Sequence, residues 1–167
     1  IGLHNGQNVN LCNVQSNPNT RIIFKTVDLK NNNLIYPNFD NVSNTSLNTT
    51  ISNEFGIKVS TIEHLMGALF GLGIDNALVE IDSEEVPILD GSAKNFIEKI
   101  INSGLKISEA PIKIIKINKK ITYSEDKRFI SIEPSKLSLD IDFKLKYENP
   151  IIGDKRNKIN QYATDQT

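Results

Sequence analysis

Two stretches of this sequence repeat apolar residues at helical spacing, and the remainder is broken into short strand-like pieces by Asn, Pro, Ser and Gly. That contrast limits the possible folds more than any other feature. The first stretch opens with Ser60-Thr61-Ile62-Glu63, a capping-box pattern. Ile62, Leu65, Met66, Leu69 and Phe70 follow at i, i+3, i+4, i+7 and i+8, with Gly71 placed to end the helix. The second runs from about Ser92 to Ser103, with Ala93, Phe96, Ile97, Ile100 and Ile101 on one stripe and Gly104 as its stop. Asn8 to Val14, Arg21 to Lys25 and Ala77 to Asp82 read as strands, and Leu47 to Ser52 with Ile57 to Val59 as a hairpin turned by Asn53-Glu54-Phe55-Gly56. Further on the pattern is strand-like throughout: Ile112 to Ile117, Ile121 to Tyr123, Phe129 to Glu133 after the turn Ser124 to Lys127, and an alternating run from Leu137 to Leu145. The expected fold is α+β: a two-layer sandwich, a sheet with two helices on one face, complete once and then begun again and truncated.

Charge divides the chain at the same place. Residues 1–108 carry a net charge of −4 and residues 109–167 a net charge of +3, changing near Glu109-Ala110-Pro111, so the expected domains are 1–108 and 109–167. With 167 residues and an overall charge of −1, the chain has room for a real core but no electrostatic footprint for nucleic acid. Its one cysteine, Cys12, cannot form an intrachain disulfide, which makes a reducing compartment the expectation, and it reads as an ordinary core thiol. No apolar run approaches the ~18 residues of a membrane span, and no secretory signal pattern is present. The 25 Ile, 21 Asn and 16 Lys suggest an AT-rich coding bias, which weakens Ile-rich runs as strand signals and accounts for three Asn-x-Ser/Thr triplets between Asn41 and Thr50. The chain opens at Ile1 and its only Met is Met66, so it is expected to be a piece cut at both ends.

Chemistry centres on Glu63 and His64. On a helical wheel His64 lies opposite the apolar stripe, beside Gly67, Ala68 and Gly71, whose small size admits another layer or a ligand. Two readings of the pair stay open. Glu63 closes the capping box and His64 is structural, or His64 ligates a metal and Glu63 is the general base for a metal-bound water. A catalytic zinc takes three protein ligands, and His64, His4 and Cys12 are the only nitrogen or sulfur donors besides carboxylates. His4, bracketed by Gly2 and Gly6, reads as part of a turn. Gly71-Leu72-Gly73 follows a helix and precedes a strand, the reverse of a phosphate loop, and Asp90 reads as the N-cap of the second helix.

Four segments together resemble the UDP-3-O-acyl-N-acetylglucosamine deacetylase family, the zinc enzymes of lipid A synthesis. They are Ile1-Gly2-Leu3-His4-Asn5-Gly6, Val59 to Leu65, Ala68 to Asn76 and Val86-Pro87-Ile88-Leu89-Asp90-Gly91-Ser92-Ala93, in family order, with a weaker likeness around Tyr147-Glu148-Asn149-Pro150. The resemblance implies two similar α+β domains packed through their helices, with the active site between them. It implies Zn2+ as cofactor, His64 as a zinc ligand, Glu63 as general base, and His4 near bound substrate. It also implies deacetylation of UDP-3-O-acyl-N-acetylglucosamine, releasing acetate, in the cytoplasm of a Gram-negative-type bacterium. The family's other two zinc ligands and a further catalytic His match no stretch of this chain, so the chain alone is expected to be inactive. Two other classes remain: a non-catalytic sugar-nucleotide binding or regulatory module, and a small-molecule kinase, which would need a phosphate loop that the sequence lacks.

Overall fold

A computed structural model describes residues 1–136 and 139–161. It divides into two compact units, residues 1–112 and the chain from Lys113 onward.

The first unit is built on two sheets. The larger has the order β1-β7-β2-β3, with β1 Leu11–Gln15, β2 Ile22–Thr26, β3 Leu34–Ile35 and β7 Ala77–Ile81. β2 and β7 run parallel, Phe24 beside Val79, while β1 and β3 flank them antiparallel. The smaller sheet is antiparallel, β4 Val42–Asn44, β5 Thr50–Ser52 and β6 Lys58–Val59. The β5–β6 hairpin forms as the sequence implies: Gly56 takes φ 78°, and the Asn53 side chain accepts from the Phe55 and Ile57 N–H groups.

Helix α1, Glu63–Gly71, and helix α2, Lys94–Ser103, close one core with these sheets. Alternate residues of β7, Ala77, Val79 and Ile81, are buried, which is the one-sided pattern of a sheet covered by helices. Phe24, Ile35, Ile51 and Val59 from the strands meet Leu65, Ala68 and Leu69 of α1, Phe96 and Ile100 of α2, and Val86. Each such large side chain removed from water contributes about 1.5–3 kcal/mol before entropy is counted.

Several local expectations change. The capping box does not form: Ser60 Oγ donates to the Glu84 carbonyl, Thr61 Oγ1 to Glu85, and no side chain caps α1. The buried stripe is rotated, because Ala68 is in the core while Phe70 is 65% exposed. Gly73, not Gly71, is the left-handed terminator of α1, with Gly73 N–H donating to Phe70 O and Ile74 N–H to Leu69 O in a Schellman arrangement. Asp90 does not cap α2. It accepts from the Ser92 N–H and hydroxyl, and Ser92 Oγ in turn accepts from Lys94 N–H. Cys12 is exposed rather than in the core, because β1 is an edge strand presenting that position outward.

In the second unit, β8 Ile121–Glu125 pairs with β9 Arg128–Ile132 about a tight turn in which Asp126 has φ 51°. β10 Leu139–Lys146 pairs with β11 Asp154–Gln161, where Arg156 hydrogen-bonds Asp142 and holds its carboxyl down to about 2. Residues 112–117 form no strand, and Leu137 and Ser138 of the expected alternating run lie outside the described residues. The overall class is α+β, with several sheets rather than one.

Candidate active site

Glu63 and His64 begin helix α1, one residue after Ile62 caps it. Glu63 is exposed, and its carboxylate accepts from the Thr49 N–H at 3.1 Å. That bond reaches across to the segment entering β5, so the carboxylate is fixed from outside its own helix. A negative charge in the first turn also suits the positive end of the helix dipole. His64 is half-buried, and among the described residues its imidazole makes no hydrogen bond or ion pair. Neither ring nitrogen is sealed from solvent. Gly67, Phe70 and Gly71 are exposed on the flank of α1 that also carries Glu63.

The backbone entering this pair is unusual. Thr61, two residues before Glu63, has φ 58°, a left-handed conformation that costs a β-branched residue about 1–2 kcal/mol. Its hydroxyl is gripped from both sides, accepting from Asn48 Nδ2 at 3.1 Å and donating to Glu85 Oε1 at 2.9 Å. Asn48 is itself held, its Oδ1 accepting from Thr50 Oγ1, and Ile62 N–H donates to Thr49 O.

Glu85 was not singled out by its sequence context, where Glu84-Glu85 looks like an ordinary acidic turn. It is only 2% exposed. The signal was parity: the alternation that buries Ala77, Val79 and Ile81 continues through Ser83 to Glu85. Besides Thr61, its carboxylate accepts from His4 N–H at 3.0 and 3.1 Å and from Asn5 N–H at 2.9 Å. Burial pushes this carboxyl up, but the hydrogen bonds from Asn5, His4 and Thr61 outweigh it and hold it below the ordinary carboxylate value. His4 is exposed, with its main chain anchored on Glu85. The structure thus gathers the His4 turn and the Thr61–His64 segment on one carboxylate, while Asp90 keeps to its own turn and Cys12 to the edge strand.

The donor chemistry at His64 suits a zinc ligand, an imidazole with no competing partner. The donor number does not suffice here: among the described residues no three His, Cys, Asp or Glu side chains come together to hold a metal. Nor, among them, is any helix long and apolar enough to cross a membrane.

The first unit is thus an α+β unit that presents a Glu-His pair at the start of a helix. The sequence pattern of the LpxC family, UDP-3-O-acyl N-acetylglycosamine deacetylase, matches residues 1–166, and the chain belongs to that family. It is similar to UDP-3-O-acyl-N-acetylglucosamine deacetylases of Shewanella frigidimarina (39% identical over 152 residues, 91% of this chain and 49% of that protein) and Pseudoalteromonas atlantica (39% over 156 residues, 93% and 51%). The enzyme of that name from Actinobacillus pleuropneumoniae serotype 3 is 35% identical over 158 residues, 94% of this chain and 52% of its own length. The chain therefore spans about half the length of the curated relatives it matches.

Proposed function

We propose that the full-length protein carrying this chain is a zinc-dependent amidase that removes the N-acetyl group of UDP-3-O-acyl-N-acetylglucosamine in lipid A synthesis, with Glu63 as general base and His64 as one zinc ligand. The observation that carries the reading is the Glu63-His64 pair at the start of α1: a carboxylate held by Thr49 N–H beside an unpartnered imidazole. Family membership and the names of the relatives support the substrate. Zinc held by His64 and by ligands from outside the described residues would polarise the acetyl carbonyl and lower the pKa of a bound water to about 7. Glu63 takes the proton of the attacking water and returns it to the departing amine, so that amide and water leave as acetate and amine. The Thr49 N–H keeps the Glu63 carboxylate aimed, which saves reorganisation at the moment of proton transfer. His4, exposed on the turn that Glu85 anchors, is proposed to contact substrate. A cytoplasmic setting belongs to the same reading and is supported by the lone exposed Cys12.

Glu63→Ala in the full-length protein is expected to lower kcat by about 10²–10⁴-fold while zinc content is retained. His64→Ala is expected to lose zinc, read by metal analysis after dialysis. A Glu63→Ala protein with normal turnover and only a lowered Tm would return Glu63 to a purely structural role.

A further inference from the structure

We propose that Glu85 is a positioning residue for the Glu63-His64 pair: its buried carboxylate joins the Gly2–Asn5 turn to the Thr61 hydroxyl and so fixes the backbone from which both side chains project. The proposal rests on the reading of that pair as catalytic.

The hydrogen bonds on Glu85 more than offset the cost of burying it, so the ionised carboxylate is held in place. A buried carboxylate gives up its hydration, and among the described residues no cationic side chain lies within ion-pair distance of Glu85, His4 adding only a longer-range attraction. Both its oxygens are instead filled by backbone N–H groups of His4 and Asn5 and by the hydroxyl of Thr61. Backbone donors cannot swing away as a lysine can, so the carboxylate sits in a fixed cradle. The turn closes tightly on it: a Cβ at Gly2 would lie 2.6 Å from Glu85 Oε2. On the other side, Thr61 keeps its left-handed conformation because its hydroxyl is held by both Glu85 and Asn48. Two residues later Glu63 is held by Thr49. Segment 61–63 is therefore gripped between the Asn48–Thr49 segment and Glu85. A Ser60–Glu85 bridge, with Ser60 N–H donating to Glu84 O and Val86 N–H to Ser60 O, sets the register of that grip.

Glu85→Gln keeps the shape but turns an amide N–H2 toward one of the donors. In the full-length protein it is expected to lower kcat by about 10–100-fold with KM within about twofold, and to weaken zinc binding by a similar factor in chelator competition. By hydrogen-exchange mass spectrometry, peptides covering residues 1–7 and 60–66 are expected to lose protection together. Thr61→Val, isosteric and also β-branched, should show the same losses at 60–66 and in kcat, and Thr61→Ser, which restores the hydroxyl, should recover them. If Glu85→Gln does not fold, Thr61→Val decides alone. Loss of protection confined to residues 1–7, or a normal kcat and zinc affinity in Thr61→Val, would reduce Glu85 to a fastener of the N-terminal turn. If the wild-type protein does not deacetylate the sugar nucleotide at all, the functional reading fails, while the coupled exchange of the two peptides still decides whether the clamp exists.

Discussion

At Gly2 the requirement for glycine is spatial rather than conformational. A methyl group there would press on Asn5 Oδ1 and stand 2.6 Å from Glu85 Oε2, and neither neighbour is free to retreat: Asn5 Oδ1 accepts from Gln7 N–H, and Glu85 is buried. Gly2→Ala is expected to destabilise the first unit by about 1–3 kcal/mol, measured by urea unfolding followed by circular dichroism. Glu85 sets a pH dependence as well. Its folded carboxyl sits below its unfolded value, so the unfolded chain binds the proton first as pH falls. Its stabilisation is full above the ordinary value of 4.5 and is lost as pH drops through the folded pKa. The urea midpoint of the wild type should therefore fall more steeply below pH ~4.5 than that of Glu85→Gln. Equal slopes would mean that the three donors contribute no net preference for the ionised form.

Among the elements, α1 shows both what periodicity can reveal and what it misses. Its position, its length and its strand-helix context were legible, because Leu65 and Leu69 belong both to the expected stripe and to the face that is buried. The rotation itself was not, since Ala68 and Phe70 differ less in pattern than in what they pack against: Ala68 fits close to the core, and Phe70 stays 65% exposed. The prediction at this scale follows directly. Leu65→Ala should cost about 2–5 kcal/mol in stability, whereas Phe70→Ala should cost within about 0.5 kcal/mol. A large loss at Phe70 in unfolding of the first unit would restore the expected stripe. The same limit explains the false capping box. Ser60-Thr61-Ile62-Glu63 has the right residue types, but Ser60 and Thr61 are drawn to Glu84 and Glu85, 24 residues away, and local sequence carries no sign of that competition. Short strands such as β3 and β4 were likewise invisible, being two and three residues long. Of the candidate site, Glu63, His64 and His4 were proposed from residue type and motif, whereas Glu85 needed the strand parity to be followed past the end of β7.

For the molecule as a whole, the proposed zinc centre turns on the number of donors. His64 offers one imidazole on a rigid helix, and among the described residues no second and third donor converge with it. A catalytic zinc held by three protein ligands owes its affinity to their simultaneous engagement, so a lone imidazole gives only weak, readily exchanged binding. The chain also spans about half the length of its relatives. Calorimetric titration of the 167-residue chain with zinc is accordingly expected to show no site of micromolar affinity, and the chain no acetate release, while the full-length protein shows both. His64→Ala should leave the first titration unchanged and abolish tight binding in the second. Micromolar binding by the 167-residue chain that disappears in His64→Ala would place the remaining ligands within this chain, and the division of the centre proposed here would then be wrong even though the metal and its first ligand were right.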